Sequence, residues 1–436
     1  MITKLKTHFS KTASNPLAKD TATMSLGNFA RLFLQAAYFV AIARTLGPQQ
    51  YGEFVAISAM IGIVAPFAGV GASNILLKNV SRDRTLLPVY WGNGLFLILV
   101  SGSLFTCVLL AFGQLVISQA SLLAILYLSI SELLLGRIID LSSFAAAALG
   151  NMRKAALLNV YMSLSRLICI LLLPAMKSHP DVQAWCLCVL LGSVACCLYA
   201  WYSVAPRRGI SLNFSRLKRE LSEASSFAIG ASATTVYNDI DKTMLARLSD
   251  FRATGIYGAA YRIIDVSMAP VRAMTASAYP EFFRRGLISP QASAAYAYRL
   301  IRKASLFGVA IFVGLMLTAP LLPIVLGRKF ANSVEAVRWL SVIPLLRCSH
   351  LFLGDALSGA GLNAVRTCVQ IAVALINVGL NVYFIRHWTW RGAAWTSIMC
   401  DGLLVVGFAA SLALVRRYPH YFKISSAPSV EASQAA

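Results

Sequence analysis

The chain is divided into about a dozen apolar stretches, each close to the length at which an α-helix crosses a membrane. About 20 helical residues span the roughly 30 Å hydrocarbon core of a bilayer. These stretches lack the polar–apolar alternation of barrel strands, the other structure that can satisfy its backbone in lipid. We therefore predict an all-α membrane protein with about 12 transmembrane helices. The predicted spans are 24–46, 52–77, 88–113, 119–149, 155–175, 183–204, 223–248, 254–282, 303–326, 334–360, 367–386 and 392–415.

The composition excludes a soluble domain. Of the 436 residues, 58% are hydrophobic and 13% are charged, so few charges are available to keep the chain in solution. The formal net charge of +22 would suggest nucleic acid in a soluble protein. Here the basic residues lie mostly between apolar runs, where they can meet anionic lipid head groups. The expected partner is therefore the lipid bilayer and not a nucleic acid.

The distribution of basic residues predicts the orientation. With the N-terminus inside, most loop lysines and arginines fall in inner segments, as the positive-inside rule requires. The predicted outer loops hold only Lys177, Arg252, Arg328, Lys329, Arg386 and Arg391. We expect a multi-pass membrane protein with both termini in the cytoplasm. The first 23 residues lack the apolar core and cleavage site of a signal peptide.

No pattern in the sequence points to a cofactor or to enzymatic chemistry. The nine cysteines and five histidines do not form a metal-binding arrangement, and no phosphate-binding GxxxxGK[ST] loop occurs. No outer loop is long enough to hold the acceptor of a membrane polymerase or ligase. We therefore expect neither a metal nor a cofactor, and we do not expect an enzyme.

An internal repeat predicts two halves of six helices each. Ala43-Arg44-Thr45-Leu46 and Gly52-x-Phe54-x-Ala56 recur at an offset of 203 residues as Ala246-Arg247-Leu248-Ser249 and Gly255-x-Tyr257-x-Ala259. Parallel repeats of this kind suit a transporter whose halves move around a central cavity. The predicted parts are a cytoplasmic segment 1–23, an N-terminal bundle 24–204, a basic cytoplasmic linker 205–222, a C-terminal bundle 223–417 and a disordered cytoplasmic tail 418–436.

Two hairpins resemble a known family. The stretch Ala43-Arg44-x-Leu46-Gly47-Pro48-x-x-Tyr51-Gly52-x-Phe54 is similar to the first hairpin of the Wzx-type polysaccharide flippases, of the superfamily (MOP) that includes the MATE exporters and the lipid II flippase. The second half adds Asp241-Lys242-x-x-Leu245-x-Arg247 and Gly255-x-Tyr257-x-x-Ala260-Tyr261-Arg262. The resemblance implies two pseudo-symmetric six-helix bundles in the bacterial inner membrane that flip an undecaprenyl-pyrophosphate-linked oligosaccharide to the outer leaflet.

Polar and cationic side chains within the spans are candidates for binding that cargo, because ionisable groups at membrane depth are expensive unless they are paired or wet. Arg31 shares a helical face with Asn28, Gln35 and Tyr38, and Arg262, Asp265 and Arg272 share a face of the eighth span. We predict a cationic cavity in which guanidinium groups replace the hydration of a pyrophosphate. Its candidate residues are Arg31, Gln35, Arg137, Asn238, Lys242, Arg262, Arg272 and Arg347.

A structural interpretation of several of these residues remains open. Arg137 with Asp140, Arg262 with Asp265, and Lys242 with Asp239 or Asp241 could be ion pairs that only hold the helices together. If the carboxylates are functional, they could instead bind the H⁺ or Na⁺ that drives directional transport. The candidates for ion coupling are Asp239, Asp241, Asp265, Glu132 and Asp140.

Two transport functions fit these features. The first is an ion-coupled flippase for a lipid-linked oligosaccharide, which could work alongside the polysaccharide polymerase machinery. The alternative is a MATE-like ion-coupled exporter of small organic molecules. An exporter of cationic drugs should have an acidic and aromatic cavity, whereas the excess of basic residues in these spans favours the flippase.

Overall fold

The computed structural model describes residues 16–205 and 209–417. Within these ranges the regular structure is entirely helical, and no strand occurs. Most of the predicted N-terminal segment 1–23, linker residues 206–208 and the predicted disordered tail 418–436 lie outside the described residues.

By their contacts the residues form two compact units. The first runs through the chain to Gly255 and includes Val325–Gly327, and the second comprises Ile256–Ile324 and the residues from Arg328 onward. This division differs from the boundary at residue 223 that the repeat predicts. The seventh helix lies in the first unit because it packs there, for example through the hydroxyl of Ser232, which donates to the carbonyl of Ile63 at 2.9 Å.

The helices follow the predicted spans closely. In the first unit they are α1 (Pro16–Val64), α2 (Ala72–Val80), α3 (Leu87–Val116), α4 (Leu122–Ala148), α5 (Met152–Met176), α6 (Val182–Val204) and α7 (Phe214–Leu248). They continue, mostly in the second unit, as α8 (Phe251–Ser267), α9 (Ala269–Ile288), α10 (Pro290–Thr318), α11 (Ser333–Gly359) and α12 (Asn363–Arg417). Because α7 begins at Phe214, the last part of the predicted linker 205–222 is helical.

Eight helical stretches within the described residues are long and apolar enough to cross a membrane. Two of them each contain a sharp turn, at Gly47 in α1 and at Thr389 in α12, which divides the stretch into two predicted spans. The predicted spans 223–248 and 254–282 are also helical, and each carries several charged residues. Every predicted span therefore corresponds to helix.

The two copies of the sequence repeat touch each other at equivalent positions within the first unit. A Cβ atom added to Gly52 would lie 1.7 Å from the carbonyl oxygen of Phe251, and one added to Gly255 would lie 2.0 Å from that of Pro48. Gly52 and Gly255 are equivalent under the offset of the repeat, as are Pro48 and Phe251. The contact is therefore reciprocal, as contacts across a two-fold axis are, and it has room only for glycine.

The predicted span 52–77 is not a single helix, because it is interrupted between α1 and α2. Gly69, Val70 and Gly71 all have positive φ angles, of 81°, 43° and 70°. The N–H of Gly69 donates to the hydroxyl of Ser101 at 2.8 Å, so the unwound backbone has a partner on α3. Irregular backbone at membrane depth is tolerated where it is buried in protein or lines a cavity.

Alanine at Gly69 should disturb this interruption. The new Cβ would lie 2.8 Å from Cγ1 of Ile98, and the φ angle of 81° is unfavourable for any residue with a side chain. Backbone strain of this kind costs about 1–3 kcal/mol, so we expect Gly69→Ala to lower the thermal unfolding temperature in detergent. Gly314→Ala is the matched control, since a Cβ there meets nothing within 4 Å. Equal stability of the two variants would contradict this account.

The start of α7 is attached to α3 by one asparagine. Asn93 is buried, and its side chain accepts from the N–H of Asn213 at 2.9 Å and donates to the carbonyl of Asn213 at 3.2 Å. Nearby, the N–H of Ser211 donates to the carbonyl of Pro88. The segment before α7 is thereby held against the first unit, whose apolar core surrounds Trp91.

Carboxylates outside the spans cap the ends of helices. Asp83 accepts hydrogen bonds from the hydroxyl and the N–H of Thr85, which hold the pKa of Asp83 below its usual range. At Asp181 partial burial raises the pKa. The hydrogen bonds donated by Lys177 and by the N–H of Ala184 outweigh burial, so the pKa of Asp181 is also below its usual value. Both carboxylates therefore stay ionised near neutral pH. The stability that they contribute as caps is lost only as the pH falls through their lowered pKa values.

Candidate functional site

The first unit contains a cavity of about 280 Å³ beside the interruption between α1 and α2. One wall is the unwound segment and the first turn of α2, and the opposite wall is α4, which contributes Arg137, Asp140 and Phe144. Arg137 Nη1 lies 3.3 Å from Asp140 Oδ2, and their side chains remain 30% and 45% exposed. The fold therefore places an accessible ion pair at the wall of this cavity.

A π-helical turn in α4 places a second ion pair close to the first. The turn comprises Ile130–Leu135, and within it Glu132 pairs with Arg166 of α5. Single π turns are frequent at functional sites because they shift side chains out of the α-helical register. Glu132 and Arg166 both interact electrostatically with Asp140, so the two pairs form one network.

Arg31 of α1 belongs to the same network. It is half-buried and close enough to Asp140 to interact with it electrostatically. Its Nε is buried and, within residues 16–205 and 209–417, has no hydrogen-bond partner. The network, which we call the α4 network, consists of Arg31, Glu132, Arg137, Asp140 and Arg166. With three guanidinium groups and two carboxylates, it has a formal excess of positive charge.

The candidates on α7 are paired with one another. Lys242 is buried, and its Nζ lies 2.6 Å from Asp239 Oδ1 and 3.8 Å from Asp241 Oδ1. The same ammonium group donates to the backbone carbonyl of Asn238 at 2.8 Å. Asn238 and its repeat equivalent Gln35 are both half-buried. Lys242 therefore forms the ion pair with Asp239 and Asp241 that the structural interpretation of these residues predicts.

In the second unit, Arg347 of α11 is the centre of a separate group. Its Nη1 lies 3.2 Å from Asp265 Oδ1, and its Nε lies 3.5 Å from Asp401 Oδ2. Its guanidinium also donates to the hydroxyl of Tyr261. His350, one turn along α11, places Nε2 3.3 Å from Asp401 Oδ1.

The predicted eighth span consists of two helices. It is divided at Met268, between α8 and α9, next to Pro270. Proline has no N–H to donate to the preceding turn. Arg272 is exposed and donates to the backbone carbonyl of Asp265. Among the described residues Arg262 has no carboxylate within ion-pair distance, since Asp265 pairs with Arg347 instead.

Neither Arg166 nor the pairing of His350 with Asp401 is predicted from the sequence. Arg166 lies in the predicted span 155–175, and an arginine at membrane depth is itself a sign of a functional or paired residue. Its partner Glu132 is on another helix, however, and only the fold brings them together. Each of the five predicted coupling carboxylates lies within ion-pair distance of a cation.

Comparison with known proteins identifies the fold. An inward-facing MATE-family multidrug resistance transporter of the MOP superfamily is 16% identical, with a TM-score of 0.70 over 89% of this chain and 96% of the other. The lipid II flippase MurJ in an inward closed conformation is 12% identical, also with a TM-score of 0.70, over 89% and 87%. A MOP superfamily transporter from Pyrococcus furiosus has a TM-score of 0.61 at 16% identity, over 92% and 97%. No curated protein matches the sequence.

The fold and the buried charges therefore define a multi-pass membrane protein with the fold of the MATE/MOP transporters and flippases, which confirms the predicted fold class. The model of the family described as polysaccharide biosynthesis protein matches residues 17–285, more than half of the chain. The chain belongs to this family, and the resemblance found in the two hairpins is confirmed.

Proposed function

We propose that the chain flips a polyprenyl-pyrophosphate-linked oligosaccharide across the inner membrane by alternating access, for the assembly of a surface polysaccharide. The observation that supports this most is the α4 network, whose Arg137 and Asp140 line the cavity of the first unit. In this proposal Arg31 and Arg137 contact the pyrophosphate. Gln35 remains a candidate contact, and Arg166 is added to hold Glu132 in place.

The net charge of the network is opposite in sign to that of the cargo. A pyrophosphate carries about two negative charges, and an isolated ion in a low-dielectric medium is unfavourable by tens of kcal/mol. Guanidinium groups offer paired N–H donors that match the geometry of phosphate oxygens. In the apo protein the two carboxylates partly neutralise the arginines. An arriving pyrophosphate can compete with Asp140 for Arg137 without leaving any cation unpaired.

The same network argues against the alternative, a MATE-like exporter of organic cations. Such a cavity needs a carboxylate that is free to pair with the drug, whereas Asp140 is already close to the guanidinium of Arg137. The guanidinium groups outnumber the carboxylates, so the local potential disfavours a cation. We therefore assign the chain an anionic cargo.

The remaining parts of the proposal concern energy and location. An H⁺ or Na⁺ gradient is the proposed energy source, since the sequence lacks a phosphate-binding loop for ATP. We place both termini in the cytoplasm, with the bilayer as the surrounding partner and polysaccharide polymerase machinery as a possible recipient of the flipped units. The protein moves its cargo without forming or breaking covalent bonds, so it is not proposed to be an enzyme.

Deletion of the gene tests the cargo. We expect loss of surface polysaccharide together with accumulation of lipid-linked repeat units in the inner leaflet, measured by extraction and mass spectrometry. A plasmid copy should restore both, and a copy with Arg31→Ala should reach the membrane without restoring either. Arg31→Lys retains the charge and should restore part of the polymer. Normal polymer in a deletion strain that has no second flippase would refute the proposal.

A further inference from the structure

The second unit holds a buried group of ionisable side chains that the proposed cargo site does not use. We call Tyr261, Asp265, Arg347, His350 and Asp401 the α11 cluster. The side chains of His350 and Asp401 are only 9% and 1% exposed. Burying an ionisable side chain is unfavourable unless its charge is paired or hydrogen-bonded. The presence of several such side chains in one buried group is therefore a sign of function.

The charges of the α11 cluster do not balance when His350 is neutral. Asp265 and Asp401 then contribute two negative charges, and Arg347 contributes one positive charge. Asp265 is 37% exposed, so solvent can stabilise it, but Asp401 is almost fully enclosed. One added proton makes the cluster neutral. The neutral base of the cluster that can accept that proton is the imidazole of His350.

The geometry around His350 is compatible with reversible protonation of its imidazole. Its Nε2 lies 3.3 Å from Asp401 Oδ1 and has no hydrogen-bond partner among the described residues. A charge-assisted hydrogen bond between such groups is usually about 2.7–2.9 Å long. Protonation of the imidazole should therefore draw the two side chains together by a few tenths of an ångström.

We propose that His350 and Asp401 form a proton-binding site, and that this proton is the coupling ion of the transporter. The second clause rests on the proposed function, whereas the first does not. The coupling site then differs from all five carboxylates that the sequence suggested. Its members lie on different helices, with Tyr261 and Asp265 on α8, Arg347 and His350 on α11, and Asp401 on α12. Binding or release of the proton therefore changes the forces between three helices at once.

The surroundings favour a proton over a metal cation. The guanidinium of Arg347 lies against both carboxylates of the cluster and would repel Na⁺. From α9, Arg272 donates to the backbone carbonyl of Asp265, but Arg272 is exposed, so solvent screens its charge from the enclosed Asp401. On α12, Cys400 precedes Asp401. Farther along α11, Asp355 has its own partner, because Arg366 Nη1 lies 3.3 Å from its Oδ1. Within the described residues, no group of three or more potential metal ligands occurs.

The test is a pH titration of the full-length protein in nanodiscs with ¹³C-labelled histidine, followed by NMR. The chain has five histidines, which single His→Gln variants assign. We expect the His350 signal to change from the neutral to the charged form as the pH is lowered. Asp401→Asn removes the carboxylate that stabilises the imidazolium, so the same change should require more acid. The signal of His387, which is exposed on α12, should be the same in both proteins at each pH.

Two results would overturn the proton site. One is a His350 signal that does not titrate in the wild type. The other is a signal that responds to added NaCl, with choline chloride as the control, as it does to acid. If Asp401→Asn does not fold, Asp265→Asn replaces it. Asp265 is more exposed, and its loss frees Arg347 to move toward Asp401, which should also lower the pH of the change.

Coupling is measured separately, in proteoliposomes loaded with extracted lipid-linked oligosaccharide. An imposed pH gradient should raise the rate of flipping by the wild type, and His350→Gln should flip at a rate that the gradient does not change. A gradient response that survives in His350→Gln would overturn the coupling role. A titrating His350 in a protein that flips no such lipid would overturn the proposed cargo and leave the proton site standing.

Discussion

Alanine in place of Arg137 is expected to weaken binding of a polyprenyl pyrophosphate roughly ten- to 100-fold. Removing one charge-assisted hydrogen bond costs about 1.5–3 kcal/mol, and every 1.4 kcal/mol is about a factor of ten in affinity. The substitution also cancels the excess positive charge of the α4 network, since Arg31 and Arg166 then face Glu132 and Asp140. Flipping in proteoliposomes should fall at least as much as binding.

An exposed arginine provides the matched control for Arg137. Arg284 also pairs with a carboxylate, at 3.1 Å from Glu281 Oε2, but its side chain is 80% exposed and is not among the residues that line the cavity. Arg284→Ala should leave affinity and flipping unchanged. If both alanine variants lose the same affinity, the effect is one of overall charge and not of the cavity.

We expect Gly52→Ala to destabilise the fold more than Gly69→Ala does. Its Cβ would lie 1.7 Å from the carbonyl oxygen of Phe251, which is backbone and cannot rotate away. Overpacking of this kind typically costs about 1–3 kcal/mol, and more where the backbone must move. We expect a lower unfolding temperature in detergent and less protein in the membrane. Gly255→Ala, at the equivalent position of the repeat, should behave alike.

Glycines in open positions distinguish this clash from a general effect of alanine. A Cβ added at Gly379 or Gly402 of α12 meets nothing within 4 Å. Alanine is favoured over glycine within a helix by up to about 1 kcal/mol, so these two variants should be as stable as the wild type or more so. A Gly52→Ala protein with wild-type stability would show that the two copies of the repeat do not meet as described.

The helices could be predicted from the sequence because the length and apolar character of a span are local properties. The repeat carried more information than expected, since Gly52 and Gly255 are equivalent in sequence and also touch each other. The interruption between α1 and α2 escaped prediction. Gly69 and Gly71 mark it in the sequence, but glycine is common in membrane helices and does not by itself end one.

The site was less predictable because its pairs join residues that are far apart in the chain. Ion pairs within one helix, such as Arg137 with Asp140 and Lys242 with Asp239, follow from a spacing of three residues. Arg166 with Glu132, Arg347 with Asp265 and His350 with Asp401 each require two helices to be packed in a particular rotation.

The central claim is that the α4 network receives the pyrophosphate of the cargo. The most direct measurement compares the affinity of the purified protein for polyprenyl pyrophosphate and for the uncharged polyprenol, by the quenching of tryptophan fluorescence in detergent. We predict that the wild type prefers the pyrophosphate, and that Arg31→Ala and Arg137→Ala each lose most of this preference while still binding the polyprenol. Equal preference in the wild type and both variants would contradict the assignment.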